Sequence, residues 1–292
     1  MRRTFEDSPF LPYLLLCPVV GITFIFAVWP ALQAIYESFF LGDAFGMSSK
    51  FVWFENFVSV LSDPNYLNSV KVTFIFTSVT VVLSIGLALL FAVTTDSVVK
   101  GVAVFKTGLM WTYAVAPAVA GILWIFMFAP SNGILTRQLE FLGINWDPYL
   151  FGDQALTVVI MASVWKQLPY NYVFFLAGLQ AIPKSLQEAA IVDGASYMKR
   201  FWTIVFPLMA PVTFFLIVVN TIFTLFDTFG IIHVVTDGGP ARATETLVFK
   251  IFRDGFLMGD ISGSSAQSVI LLIIVTLLVI FQFRFIERKI HY

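Results

Sequence analysis

The sequence predicts an all-α polytopic membrane protein of six transmembrane helices, and three features predict it. Of 292 residues, 59% are hydrophobic and only 12% are charged, too little charge to cover the surface of a soluble domain of this size. Phenylalanine alone occurs 33 times. Four long stretches, 10–36, 72–95, 107–136 and 266–283, carry no charge at all, and about 20 apolar residues suffice to cross about 30 Å of hydrocarbon.

The first span covers 11–34. Small residues suited to signal cleavage are missing behind it, so it is expected to remain as a span. It holds Cys17, the only cysteine, which excludes a disulfide within the chain. The second span covers 72–95 and the third 106–129, with Trp29, Trp111 and Trp124 in interfacial or packing roles. The fourth, 155–180, carries Lys166, and the fifth, 208–234, carries Asp227; flanking apolar residues place both. The sixth covers 266–284. A first helix with an external segment, 1–70, precedes a core of five helices over 71–292. No appended soluble domain or low-complexity segment is expected.

Lysine and arginine set the orientation. With the N-terminus inside, ten of the 17 basic residues fall on the cytoplasmic side: Arg2, Arg3, Lys100, Lys106, Lys184, Lys199, Arg200, Arg284, Arg288 and Lys289. Six fall outside, and Lys166 lies within a span. Both termini and the segment 181–207 are therefore expected in the cytoplasm.

That segment is the one long polar interruption in the second half of the chain. Pro183 discourages a helix continuing straight out of the fourth span. Ser185 stands three residues before Glu188, the spacing of a capping box. Gly194 suits the left-handed residue that ends a helix. A second helix is expected from Ser196, carrying Tyr197, Phe201 and Ile204 on one side, with Pro207 at the entry to the fifth span. From the residues alone, this is equally a capped interfacial helix resting on lipid headgroups.

The string Glu188-Ala189-Ala190, then Asp193-Gly194-Ala195, Ile204 and Pro207 resembles the EAA loop of ABC-importer permeases, with Phe206 where leucine is usual. Thr236-Asp237-Gly238-Gly239-Pro240 is similar to the TxGGP of the carbohydrate-uptake type, and Ala181-Ile182-Pro183 fits the same group. Residues 113–120 (YAVAPAVA), 162–167 (ASVWKQ) and 282–284 (QFR) bring the chain nearest to the A-subunit class of glycerol-3-phosphate importer permeases. The resemblance implies a type I ABC importer subunit forming half of a translocation pathway. The EAA element becomes a coupling helix, docked on an ATPase through Glu188, Ala189, Ala190, Asp193, Gly194 and Ala195. A second permease, two copies of an ATP-binding subunit and an extracytoplasmic solute-binding protein complete the assembly, in the bacterial inner membrane and without nucleic acid. This chain binds no cofactor; ATP and Mg belong to the partner ATPase. The implied cargo is glycerol-3-phosphate or a related glycerophospho-compound, with a neutral sugar as the alternative within the family. An ion-coupled secondary transporter is the rival outside it.

Polar residues inside spans are costly and are usually kept for function. In span four, Ser163, Lys166, Gln167 and Tyr170 share a face at helical spacing, with Asn171 beside them. In span five, Asn220, Thr221, Thr224, Asp227 and Thr228 do the same. Two polar stripes suggest a shared, water-filled solute path. Lys166 lies roughly 17 Å from the outer end of its helix at 1.5 Å per residue, a depth costing about 2.5–3.5 kcal/mol on insertion scales. It is read as an ion pair with Asp227, as a cationic site for a phosphate or acidic sugar, or as a snorkelling side chain. Tyr113 and Trp124 are further candidates to line the path. Asn220 is equally suited to an interhelical hydrogen bond.

Several activities are excluded. The nearest approach to a P-loop, 101–107 (GVAVFKT), lacks the second glycine and the phosphate-cradling turn it supplies. No G-x-S-x-G or H-E-x-x-H occurs. One cysteine and two distant histidines, His233 and His291, argue for no metal site. The chain is therefore expected to be a transport subunit, not an enzyme.

Overall fold

The computed structural model describes residues 11–42, 49–97 and 102–286. Arg2, Arg3, Lys100, Arg288, Lys289 and His291 lie outside the described residues. In chain order, the elements begin with α1 (Leu11–Thr23), a π-helical turn (Phe24–Val28) and α2 (Trp29–Glu37). There follow strands β1 (Phe40–Gly42) and β2 (Ser49–Phe51), then α3 (Glu55–Ser62), α4 (Pro64–Ser97), α5 (Val102–Ala114), α6 (Pro117–Met127), α7 (Ile134–Phe141) and α8 (Gly152–Ala181). Next are α9 (Lys184–Val192), α10 (Tyr197–Arg200), α11 (Phe206–Leu208), α12 (Ala210–Phe226), α13 (Phe229–Val235), α14 (Leu247–Phe252) and α15 (Ile261–Phe281). The all-α expectation is met apart from β1 and β2, an antiparallel ribbon in which Phe40 faces Phe51.

Among the described residues, three helices are long and apolar enough to cross a membrane: Pro12–Glu37, Pro64–Ser97 and Ile261–Arg284. Two bent pairs bring the number to as many as five. The predicted third span is one of them, turning by 106° between Ala103–Ala114 and Pro117–Met127. The predicted fifth is the other, turning by 64° between Tyr197–Leu208 and Ala210–Phe226. The predicted fourth span is the single 30-residue helix α8, whose polar residues keep it out of a count made by length and composition.

The chain forms two compact units, one of residues 1–63 with 251–274, the other of 64–250 with 275–292. In the first, none of residues 12–37 is buried and Cys17 is exposed. An aromatic cluster of Phe39, Phe51, Phe54 and Phe57 gathers at the ribbon. Buried Asn56 ties it down by donating to the carbonyls of Ser38 and Phe40 at 2.9 and 3.0 Å.

The second unit is built on α4 against α8. Phe76, Thr80, Ser84, Ala88 and Ala92 recur every four residues and are all buried, so they form one stripe along α4. Four of the five are small, which lets the two backbones approach closely. One apolar core joins Phe76, Val158, Val159, Ile231, Ile232 and Phe249. Another joins Ala88, Tyr172, Phe175, Val205, Met209 and Leu216. Close contact extends to α6 on α13: a Cβ on Gly121 would stand 3.1 Å from Val235 Cγ2 and 3.3 Å from the Ile231 carbonyl oxygen.

Candidate functional site

Between the two cores, in the second unit, a cavity of about 720 Å³ is lined by Tyr113 to Pro117, by Lys166, Gln167 and Tyr170, and by Val219, Ile222, Phe223 and Asp227. Its first wall comes from a broken helix. In a continuous helix the carbonyl of residue 113 accepts the N–H of residue 117. Pro117 has no N–H, and its ring crowds that carbonyl. The residue before a proline favours an extended backbone, and Ala116 has φ −63° and ψ 145°. α5 therefore ends at Ala114, and Pro117 opens α6 as its first residue, where a missing N–H costs nothing.

The second wall is the middle of α8. Lys166 is 9% exposed, and its Nζ donates to the Tyr113 carbonyl oxygen at 2.6 Å. The same ammonium lies 5.1 Å from the centre of the Tyr113 ring. Lys166 thus caps the carbonyl that Pro117 deprives of its helical donor, with a cation at a helix C-terminus, where the dipole favours one. Gln167 is 7% exposed, and its side chain makes no hydrogen bond among the described residues. Asp227 lines the third wall, exposed, at the end of α12. It makes no ion pair with Lys166. The expectation of a structural Lys166–Asp227 pair is therefore corrected: a backbone carbonyl orphaned by proline holds the lysine instead.

Of the eight residues expected on the solute path, Lys166, Gln167, Tyr170 and Asp227 come together in this cavity. Ser163, Thr221, Thr224 and Thr228 are buried and do not line it. Their hydroxyls donate to carbonyls four residues back, those of Val159, Ile217, Asn220 and Thr224, at 2.7–2.9 Å, a common outlet for hydroxyls inside helices. Asn171 and Asn220 exchange two side-chain hydrogen bonds of 2.9 and 2.6 Å, and Ser84 donates to the same Asn220 oxygen at 3.1 Å. That knot joins α4, α8 and α12 as the interhelical bond expected for Asn220. Tyr113 lines the cavity, whereas Trp124 packs on Phe128 and Trp165. The broken third span was the feature missed; the signal available was Pro117 itself.

The loop 181–207 differs from expectation at its start. α9 begins at Lys184 after Pro183, and no side chain caps it. The Ser185–Glu188 capping box does not form, because the Pro183 carbonyl already accepts the Leu186 N–H at 3.2 Å and Ser185 lies inside the helix. Its end is as expected. Gly194 has φ +73°; its N–H reaches the Ile191 carbonyl, and that of Ala195 reaches Ala190, both at 2.9 Å. This is a complete Schellman motif. Ser196 caps α10 by accepting the Lys199 N–H at 3.4 Å. Glu188, Ala189, Asp193 and Gly194 are exposed, Ala190 and Ala195 half-buried. Val192 is 87% exposed and Ile191 54%, an apolar tip left uncovered by the described residues.

The stretch 236–245 is tightly self-bonded. Thr236 and Thr244 hydroxyls meet at 2.7 Å, and Thr244 donates to the Gly239 carbonyl at 2.9 Å. The Gly239–Pro240 peptide is cis.

Residues 10–292 match the family of binding-protein-dependent transport system inner membrane components. The chain belongs to that family. It is accordingly a multi-pass bacterial membrane protein and a transport subunit. Among relatives of this inner membrane component are sn-glycerol-3-phosphate transport system permease proteins UgpA. That of Agrobacterium fabrum is 58% identical over 292 residues and that of Brucella suis 56%, each covering both chains in full. That of Yersinia enterocolitica is 47% identical over 291 residues, covering 100% of this chain and 98% of its own. In fold, the component is similar to a bacterial ABC transporter involved in import of the acidic polysaccharide alginate. The TM-score is 0.83 at 19% identity, over 98% of this chain and 99% of that one. The alginate transporter bound to its pentasaccharide-loaded periplasmic protein gives the same score and identity.

Proposed function

We propose that this chain forms half of the translocation pathway of an ATP-driven importer of glycerol-3-phosphate or related glycerophospho-compounds. The relatives' names supply the cargo, and one observation in the chain supports it: Lys166 and Gln167 stand side by side, buried, on the wall of an open cavity. A phosphate monoester carries about −1.5 to −2 charge at pH 7 with three acceptor oxygens. An ammonium and a free amide are donors for such a group. Asp227, unpaired with Lys166, is an acceptor for the glycerol hydroxyls. The volume is within the ordinary range for small-molecule sites.

Six crossings complete the reading: three unbroken helices, two bent pairs, and α8, polar because it borders the path. Both termini then lie in the cytoplasm, and Lys184, Lys199 and Arg200 follow the positive-inside rule. The α9 tip, Glu188 to Ala195 with Ile191 and Val192, docks on an ATP-binding subunit, two copies of which hydrolyse ATP with Mg. A second permease supplies the other half of the cavity, and a periplasmic binding protein delivers cargo. ATP-driven closure of the ATPase pair moves α9 and, through Val205 and Met209 in the core with α8, the cavity walls.

The test is reconstitution in vesicles with and without these partners, reading labelled glycerol-3-phosphate. ATP-dependent uptake by the assembly, competed by glycerol-3-phosphate and not by glycerol, is expected. Uptake by this chain alone under an ion gradient would refute the reading.

A further inference from the structure

We infer that Pro117 is a positioning residue for cargo: by stripping Tyr113 of its helical donor it makes the Tyr113 carbonyl a rival to the cargo's phosphate for Lys166. This rests on the reading of the cavity as a phosphate-ester path. Three observations carry it. The carbonyl whose partner would be the N–H of residue 117 is the one that Lys166 holds, at 2.6 Å. The helix breaks at that point by 106°. Asp227, the carboxylate that borders the same cavity, does not hold the lysine.

Lys166 without cargo is therefore neither bare nor committed to a carboxylate. A neutral carbonyl satisfies it, and an anionic phosphate outcompetes a neutral acceptor, because it adds the attraction of opposite charges to the charge-assisted hydrogen bond that both make. A carboxylate in the carbonyl's place would hold the lysine against the cargo. No acceptor at all would leave a buried charge uncompensated. When cargo takes the ammonium, the end of α5 loses its cap, so occupancy of the cavity loosens the α5–α6 joint. Occupancy is thereby written into the geometry of two membrane helices by one exchanged hydrogen bond.

The experiment uses the complete reconstituted assembly. Pro117→Ala supplies an N–H for the Tyr113 carbonyl and removes the rival. KM for glycerol-3-phosphate is expected to fall about threefold to tenfold, the worth of one hydrogen bond, while the maximal rate also falls because the joint no longer responds. In a Lys166→Leu background, Pro117→Ala should leave KM unmoved. An equal KM change in both backgrounds overturns the inference, as does an unchanged or raised KM in the single variant. Should Pro117→Ala fail to assemble, spin labels at Gly108→Cys and Ile122→Cys, with Cys17→Ser, report the joint by pulsed electron resonance. Saturating glycerol-3-phosphate should shift their separation, and Lys166→Met should show the shifted distribution without cargo. If Lys166→Met weakens uptake yet the separation ignores cargo, the exchange is wrong and the cargo reading survives. If Lys166→Met leaves KM for glycerol-3-phosphate intact, the cargo reading itself fails.

Discussion

Gln167 and Asn171 stand one turn apart on α8, both amides and both buried, and the protein treats them oppositely. Asn171 is satisfied by Asn220, whose oxygen also takes the Ser84 hydroxyl, so three helices are pinned by one polar knot. The Gln167 side chain borders the cavity with no hydrogen-bond partner among the described residues. A polar group kept inside a membrane protein without a partner costs stability. In this pair the contrast separates glue from lining: the satisfied amide holds three helices together, and the unsatisfied one borders the cavity.

The largest stability effect belongs to the knot. Asn220→Leu leaves Asn171 and Ser84 without partners and should destabilise by about 2–3 kcal/mol, read as a lower unfolding temperature in detergent. The double variant Asn171→Leu with Asn220→Leu should lose less than the two singles together. Gln167→Leu should behave in the opposite sense. It removes an amide that bonds nothing, so unfolding is unchanged or delayed, while KM for uptake rises about tenfold, the worth of one lost hydrogen bond to a charged group. If Gln167→Leu destabilises as much as Asn171→Leu, the division between the two regions disappears.

Smaller effects test the ends of the path. Gly194→Ala forces a side chain into φ +73° and should cost about 1 kcal/mol. It should lower cargo-stimulated ATP hydrolysis with solute affinity unchanged. Smallest of all is Thr228→Val: its hydroxyl serves only the Thr224 carbonyl, so stability should stay within about 0.5 kcal/mol and uptake should be unaffected.

Much of this was legible in the residues. Uncharged runs located the helices, and the spacing 166, 167, 170 picked out the face of α8 that borders the cavity. Gly194 announced its left-handed turn because little else tolerates that backbone. What stayed hidden is physical in origin. Ser163, Thr221, Thr224 and Thr228 share the periodicity of true lining residues, but short hydroxyls reach their own helix, and spacing does not distinguish the two. Pro18 and Pro169 sit inside helices while Pro117 breaks one, so proline alone does not mark a hinge. The neighbours decide, and Lys166 stands ready to cap the broken end. Ser185 and Glu188 had the spacing of a cap, yet Pro183 starts the helix two residues sooner.

The most direct measurement is the apparent affinity of the reconstituted assembly carrying Lys166→Leu for glycerol-3-phosphate, with assembly and basal ATP hydrolysis checked in the same vesicles. The account predicts intact assembly and a KM raised about a hundredfold, the scale of a lost hydrogen bond between charged groups. An unchanged KM in a properly assembled transporter would contradict it.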